Sequence, residues 1–352
     1  IKTVAIGNGV TNIGASAFYD CRKLTSVYIS DSVTSIGNSA FGNCSSLTGI
    51  IIPNGVTNIG DSAFRNCSSL TSVTIPNGLT NVSDRMFYGC SSLSSITIPD
   101  SVTSVGKQAF YGCSSLINIT IGSGVTSIGD SAFYNCNSLA DVYITDMDAW
   151  CRIIFAAFGT PMWKAKNIYL NGEKITSVTI PDGITAVGRF TFYGFRDLVA
   201  VTIPDSVTNI KVGAFRNCTR LQSIAIGSGV TSISGSSDSD APFYGCNKLK
   251  SVYITDMTAW CGIAFESNYA NPLYYAKNLY LNGAKVETLE IPEGVQVISS
   301  YAFVNATCIQ GVAIPKSLVG VAANAFTGCS GIKKVYYAGS ETEWKDLAIS
   351  AG

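Results

Sequence analysis

The sequence contains no histidine, and this absence excludes several kinds of catalytic and regulatory site. A Ser-His-Asp triad, a Cys-His dyad, an imidazole metal site and a histidine pH switch all require the missing side chain. Carboxylate pairs are the remaining route to catalysis, and glutamate is scarce. Glu287 and Glu290 are neighbours on one predicted strand, but that surface is open rather than pocketed. We therefore expect no enzymatic activity and no cofactor.

Charge is also scarce, at 13% of the 352 residues, against roughly 25% in a typical soluble domain. The 23 basic and 23 acidic side chains cancel, so the basic excess that binds nucleic acid or an anionic membrane is missing. No apolar run approaches the ~18 residues that span a bilayer. We expect no nucleic-acid partner and no membrane insertion. Because the chain begins at Ile1 in the middle of its pattern, we expect it to be part of a longer protein.

What the sequence does contain is a repeat of mostly 23 residues. In one unit, Val73 and Ile75 alternate with an outward threonine, which predicts a half-buried strand. Pro76 follows at once and ends that strand, because it has no N–H to donate. A second apolar pair returns to the core, and the Gly-Asp-Ser-Ala-Phe segment at residues 60–64 predicts one helical or 3₁₀ turn. A unit this small must stack on its neighbours to bury its apolar face.

The repeat Leu-x-x-Val-x-Ile-Pro…Val-x-x-Ile-Gly-x-x-Ala-Phe-x-x-Cys-x-x-Leu resembles the BspA-type leucine-rich repeat of bacterial surface proteins. The match covers essentially the whole chain, although Pro, Gly or Ser stands where common leucine-rich repeats carry an Asn ladder. The resemblance implies a curved solenoid that is exported, displayed on a bacterial surface and used for adhesion. We predict a right-handed leucine-rich repeat solenoid of about 14 rungs, with a parallel sheet on its concave side and short helical or 3₁₀ turns on the other.

The cysteines recur at one position of the repeat, which indicates a column of small buried apolar side chains. Phe195 and Ala306 occupy this position in two units, and a disulfide cysteine could not be replaced in that way without stranding its partner. We favour buried free thiols over the alternatives of disulfides or metal ligands. The column consists of Cys21, Cys44, Cys67, Cys90, Cys113, Cys136, Cys218, Cys246 and Cys329, whereas Cys151, Cys261 and Cys308 lie outside it.

Two longer segments of related sequence interrupt the regular spacing. We predict a single solenoid over residues 1–352, with inserted modules at about 142–177 and 252–288 and a truncated third copy at 335–352. Each complete module ends in Tyr-Leu-Asn-Gly, and Asn-Gly between apolar runs is a strong hairpin signal. The sequence leaves open whether the strand before this turn joins the main sheet. Asp238 and Asp240 in a further short insertion provide too few ligands for Ca²⁺, so we expect no metal site.

The candidate binding residues are aromatic side chains of two kinds, those on the outward sheet face and those in the inserted loops. An outward column with few charges and aromatic anchors suits contact with protein or glycan, and loops on a rigid scaffold often carry recognition. Thr and Tyr are also good strand formers, which is the alternative explanation for the column. The candidates are Tyr28, Tyr143, Tyr253 and Tyr336 in the column, and Trp163, Tyr274 and Tyr275 in the loops.

These observations predict a non-catalytic binding or adhesion solenoid, which contacts host, extracellular-matrix or neighbour-cell proteins through its concave sheet face. Two other functions remain open. The repeats could serve as a structural spacer with no ligand of their own, or the exposed aromatic residues could bind glycans. The resemblance alone implies an extracellular or bacterial cell-surface location.

Overall fold

The computed structural model describes residues 1–350. The chain forms two compact units, of which the first is Ile1–Ile175 and the second begins at Thr176. Each unit is a parallel-stranded solenoid, so the predicted fold class is confirmed. Because the chain divides into two units, a single solenoid over residues 1–352 stays a prediction. The predicted third module, at 335–352, ends with two residues that lie outside the described part. Among residues 1–350, none of the helices combines the length and the hydrophobicity that a membrane span requires.

The strands of the main sheets are two to four residues long, and we number all strands in chain order so that the odd numbers belong to these sheets. Those of the first unit are β1 (Thr3–Ile6), β3 (Ser26–Ile29), β5 (Gly49–Ile50), β7 (Ser72–Val73), β9 (Ser95–Ile98), β11 (Asn118–Ile121), β13 (Asp141–Ile144) and β15 (Asn167–Leu170). Those of the second are β17 (Ser177–Thr179), β19 (Ala200–Ile203), β21 (Ser223–Ile226), β23 (Ser251–Ile254), β25 (Asn278–Leu281), β27 (Thr288–Glu290), β29 (Gly311–Ile314) and β31 (Lys334–Tyr337). The described residues carry sixteen such strands. The number exceeds the predicted fourteen rungs because each of the two complete modules contributes one additional strand, β15 or β25.

A second row of strands, each two residues long, runs along another side of each unit and was not predicted. In the first unit these are β2 (Asn12–Ile13), β4 (Ser35–Ile36), β6 (Asn58–Ile59), β8 (Asn81–Val82), β10 (Ser104–Val105), β12 (Ser127–Ile128) and β14 (Ile154–Phe155). In the second they are β18 (Ala186–Val187), β20 (Asn209–Ile210), β22 (Ser232–Ile233), β24 (Ala264–Phe265), β28 (Val297–Ile298), β30 (Gly320–Val321) and β32 (Ala348–Ile349).

The strand before each Asn-Gly turn joins the main sheet, which answers the question that the sequence left open. β15 pairs parallel with β13, and β25 pairs parallel with β23. The chain then reverses into a short antiparallel strand, β16 (Glu173–Lys174) or β26 (Ala284–Lys285), which ends the sheet. The main sheets of residues 1–350 therefore run in the orders β1-β3-β5-β7, β9-β11-β13-β15-β16, β17-β19-β21-β23-β25-β26 and β27-β29-β31.

The third side of each regular repeat consists of tight turns rather than the helical turn that the sequence predicted. Ser62 and Asn66 adopt φ angles of 59° and 56°, in the left-handed region where a right-handed helix cannot continue. Their N–H groups donate to carbonyl oxygens of the next rung, at Asp84 and Tyr88, instead of bonding within a helix. Ser62 and Asn66 thus tie one rung to the next.

Helical segments occur in the insertions and after β31. They are α1 (Met147–Arg152), α2 (Met257–Cys261), α3 (Leu273–Ala276) and α4 (Glu341–Asp346), with 3₁₀ turns at Pro161–Trp163, Asp238–Asp240 and Asn268–Ala270. The core of each unit is a column of phenylalanines. Phe64, for example, is fully buried and stacks on the Phe41 and Phe87 rings at centroid distances of 5.6 Å on both sides.

Candidate functional site: paired tyrosines on the main sheets

Each unit carries one pair of stacked tyrosines on the outward face of its main sheet, and we call these the tyrosine pairs. In the first unit the Tyr143 and Tyr169 rings lie with centroids 4.9 Å apart and planes 14° apart. In the second unit Tyr253 and Tyr280 lie 4.7 Å and 23° apart. Two predicted site residues, Tyr143 and Tyr253, thus have partners that the sequence analysis did not select.

The parallel register creates these pairs. Val142 and Ile144 point into the core on either side of Tyr143, so the period-two alternation directs the Tyr143 ring outward. Tyr169 lies directly opposite Tyr143 on the next strand, where neighbouring strands are ~4.8 Å apart. That spacing is close to the contact distance of two stacked rings. The pair is therefore a rigid aromatic surface that the backbone positions.

A lysine follows each pair across the hairpin. Asn171 and Gly172 adopt φ angles of 51° and 83°, as a two-residue turn with both φ angles positive requires. This turn places Lys174 opposite Tyr169, and in the second unit Lys285 lies opposite Tyr280. Residues that are directly opposite across two strands share a face. Each tyrosine pair is thus bordered by an exposed ammonium group.

The two pairs differ in the charge beside them. In the first unit Asp141 lies two residues before Tyr143, and its Oδ1 accepts a hydrogen bond of 2.7 Å from the Asn167 amide. Partial desolvation, followed by the negative charge of Asp141, raises the pKa of Tyr143 above its ordinary value. This shift keeps the Tyr143 hydroxyl protonated to a higher pH than that of an ordinary tyrosine. In the second unit a serine, Ser251, occupies the corresponding position.

Shallow depressions open along the outward face of the main sheets. In the first unit, one of about 550 Å³ is lined by Tyr28 and Ile51, which are 65% and 82% exposed. Another of about 670 Å³ lies around Thr74, where β7 and β9 belong to separate sheets. In the second unit a depression of about 530 Å³ is lined by Tyr253. The predicted residue Tyr336 is 56% exposed on β31, opposite Ala313.

The predicted loop aromatics belong to other clusters. Trp163 lies 5.2 Å from Phe158 at the end of an aromatic row on the turn side, whose other members are Tyr88, Tyr111 and Tyr134. Tyr274 and Tyr275 pack edge to face on each other, and Tyr274 also contacts Tyr269. Burial, followed by the charge of Asp238, raises the pKa of Tyr275. The structure thus does not bring these three residues together with the tyrosine pairs.

Sequence reasoning missed Tyr169 and Tyr280, although a signal for both was present. The segments Ile168-Tyr-Leu and Leu279-Tyr-Leu repeat the apolar–Tyr–apolar alternation of Val142-Tyr-Ile. Both tyrosines lie inside the longer intervals between regular repeats, so they do not fall on positions that the spacing of 23 residues predicts. Lys174 and Lys285 are found only once the hairpin register is known.

The described part of the chain holds no group of three or more His, Cys, Asp or Glu side chains placed to share a metal ion. Glu287 and Glu290 are both exposed, and Glu290 lies opposite Ala313 on the open face of β27. The tyrosine pairs supply flat apolar surface, hydroxyl donors and a neighbouring ammonium. This chemistry is that of recognition on an open surface.

Comparison with known proteins identifies the repeat. The family model for the BspA type leucine rich repeat region matches residues 1–90, 38–156, 165–279 and 274–350. The chain belongs to this family. No curated protein sequence matches this BspA-type chain. The match of the family model confirms the predicted family.

Solved structures of bacterial proteins are similar to this BspA-type chain over nearly its whole length. A leucine-rich repeat protein from Bacteroides ovatus is 26% identical, with 99% of this chain and 92% of that chain covered and a TM-score of 0.61. A leucine-rich cell surface protein from Faecalibacterium prausnitzii is 28% identical, with 100% and 92% covered and a TM-score of 0.41. The Bacteroides ovatus structure thus has the same repeat fold along nearly the whole of this chain.

Proposed function

We propose that the chain is a non-catalytic binding module of a bacterial surface or secreted protein, and that it contacts host, matrix or neighbour-cell proteins through the outward face of its main sheets. The observation that carries this proposal is the presence of one tyrosine pair at the same place in each unit. Rigid, half-exposed aromatic side chains supply contact area at little entropic cost, which is why they dominate many protein interfaces.

The rest of the outward face supports this assignment. It carries small hydroxyl and alkyl side chains with few charges, so a partner can approach closely without desolvating ionised groups. Ile51 and Tyr28 add exposed apolar surface in the first unit. The similarity to a cell surface protein of F. prausnitzii agrees with an extracellular location.

The experiment is a binding screen of the chain against immobilised extracellular-matrix proteins, with the double variant Tyr143→Ala/Tyr253→Ala beside it. Saturable binding that weakens about tenfold or more in the double variant supports the proposal. The matched control is Tyr19→Ala, because Tyr19 is 49% exposed but lies in a turn rather than on the main sheet. Binding that Tyr19→Ala reduces as much as the double variant contradicts the proposal.

A second function, that of a structural spacer, is favoured by a different observation. Exposed threonines just before the main strands use their hydroxyls within the chain: Thr71 donates to the Thr48 carbonyl at 3.0 Å, and Thr48 to that of Thr25 at 3.3 Å. Such a ladder stiffens the solenoid and leaves fewer donors for a partner. If no matrix protein and no glycan binds at high concentration, the spacer function replaces the binding function.

A further inference from the structure

The depression beside Tyr253 in the second unit has an aromatic wall. On this face Tyr253 of β23 lies directly opposite Ala225 of β21 on one side and Tyr280 of β25 on the other. The Tyr280 ring covers one face of the Tyr253 ring. Ala225 has only a methyl group, and the depression is lined by Ala225 and Tyr253 but not by Tyr280. The second face of the Tyr253 ring therefore borders the depression.

Polar groups surround this wall. The Asp205 carboxylate lines the depression, and its Oδ1 accepts hydrogen bonds from the Ser228 N–H at 2.6 Å and the Ser228 hydroxyl at 3.0 Å, which fix its orientation. Asp182 and Asn282 contribute a second carboxylate and an amide. The main chain of Asn282 is held by a bond of 3.0 Å from its N–H to the Ile254 carbonyl. The site thus combines one fixed carboxylate, a second carboxylate and an amide that both donates and accepts.

We infer that this depression binds a neutral sugar residue of a glycan. A sugar ring presents C–H groups on its faces, which suit the Tyr253 ring, and hydroxyls at its edge, which donate to carboxylates and exchange bonds with an amide. The volume of about 530 Å³ lies within the roughly 300–1,000 Å³ of small-molecule sites. This inference rests on the proposed binding function and names the ligand class at one of the two tyrosine pairs.

The charges of the lining favour a neutral sugar over two other ligands. Asp182 and Asp205 are its only ionised side chains, so they repel a sialylated or sulfated sugar. The side chain of arginine or lysine in a protein partner would pair with the carboxylates. It carries donors only, however, and cannot accept from the Asn282 amide or the Thr255 hydroxyl. A hydroxyl-bearing ring satisfies both kinds of group.

The first unit repeats this arrangement of carboxylate, serine and tyrosine, with a difference directly beside the tyrosine ring. Its Asp100 carboxylate accepts from the Ser123 N–H at 2.7 Å and the Ser123 hydroxyl at 3.1 Å, as Asp205 does from Ser228. Opposite Tyr143, however, stands Thr120 rather than alanine. The branched Thr120 side chain takes up space beside the Tyr143 ring. We therefore place the stronger site in the second unit.

This difference supplies a variant that leaves the fold intact. Ala225→Thr installs the residue that the first unit already carries at the same position, and threonine favours strands. It should narrow the space beside Tyr253 without disturbing the sheet. An unchanged unfolding midpoint would confirm that point for the variant. Tyr19→Ala is the control for loss of an exposed tyrosine outside the main sheets, because Tyr19 is 49% exposed and lies in a turn.

The test is an array of neutral hexose and N-acetylhexosamine oligosaccharides, with sialylated and sulfated glycans and an oligo-arginine peptide as separate arms, followed by titration of whichever neutral glycan binds best. We expect saturable binding of a neutral glycan that Tyr253→Ala and Ala225→Thr each weaken about tenfold or more, and that Tyr19→Ala leaves unchanged.

Other outcomes overturn the inference in distinguishable ways. Three results would rule out the sugar site: binding of acidic glycans alone, binding of the oligo-arginine peptide alone, or neutral-glycan binding that neither substitution affects. The proposed binding function still stands in these cases if binding of a protein partner depends on the tyrosine pairs. An array with no binding, together with no protein partner, removes both.

Discussion

The thiol of Cys67 donates a hydrogen bond to the main-chain carbonyl oxygen of Phe41, 3.2 Å away in the preceding rung. The same carbonyl already accepts from the Cys44 N–H, so the thiol occupies its second lone pair. Equivalent bonds start at Cys44, Cys90, Cys113, Cys136, Cys218, Cys246 and Cys329. The column is thus a ladder of thiols that ties successive rungs together.

This ladder predicts that the column thiols are unreactive in the folded protein. Burial raises the pKa of Cys44 to about 11 and that of Cys90 to about 12, so the reactive thiolate is almost absent near neutral pH. We expect a thiol reagent at pH 8 to leave the buried column unlabelled, and to label it after denaturation without prior reduction. Cys21, half-buried at the start of the series, should react first. Mass spectrometry that finds the column cysteines oxidised would contradict the free-thiol interpretation.

The same pKa values predict a loss of stability at alkaline pH. An unfolded thiol ionises around 9.0, whereas folded Cys90 keeps its proton up to about 12. Between these values the unfolded chain releases a proton that the folded chain retains, so rising pH favours unfolding. The contribution of Cys90 is fully present below pH 9.0, and roughly 1 kcal/mol of it is lost by pH 10.

Denaturant titrations of the wild type and of Cys90→Ala from pH 7 to pH 10 measure this effect. The variant starts less stable, and we expect its free energy of unfolding to fall less steeply than that of the wild type above pH 9. Parallel curves for the two proteins would show that Cys90 titrates alike in both states.

The main strands could be predicted because their signal is local. Val73 and Ile75 alternate with an outward residue and are followed by Pro76, and the structure buries both. The turn around Ser62 could not be predicted. Its left-handed φ depends on the N–H bond to Asp84 in the next rung, which no property of the local segment specifies. The two-residue strands are likewise too short for alternation to reveal them.

Only one tyrosine of each pair in the candidate site could be predicted from the sequence. Tyr143 and Tyr253 follow from the outward column, but their partners depend on a strand register across an insertion whose full path the sequence does not specify. The loop residues Trp163, Tyr274 and Tyr275 were selected by position in the chain alone. Their surroundings depend on packing between segments far apart in sequence, and the structure assigns them to other clusters.

Removing one ring from the phenylalanine column should destabilise the first unit locally. Phe87 is fully buried between Phe64 and Phe110, with ring centroids 5.6 Å and 5.5 Å away. We expect Phe87→Ala to cost about 3–5 kcal/mol, as truncation of a core phenylalanine does. Because rungs interact mainly with their neighbours, hydrogen exchange should rise around β7, β8 and β9 and stay low far from them.

The matched control is Tyr88→Ala. Tyr88 stacks on Tyr111 at 4.8 Å but is only half-buried, so its truncation should cost about 1 kcal/mol. Equal costs for the two variants, or a uniform loss of protection along the unit, would show that the phenylalanine column is not the source of local stability.

The last prediction concerns the close approach of two rungs at Gly124. A Cβ atom there would overlap the Asp100 carbonyl oxygen, so any side chain forces the backbones apart. We expect Gly124→Ala to lower the free energy of unfolding by about 1–3 kcal/mol. At Gly49 nothing lies within 4 Å of the added atom, so Gly49→Ala should be neutral or slightly stabilising. Denaturant titration of both variants checks this contrast, and a stable Gly124→Ala protein would mean that the rungs can separate at this turn without cost.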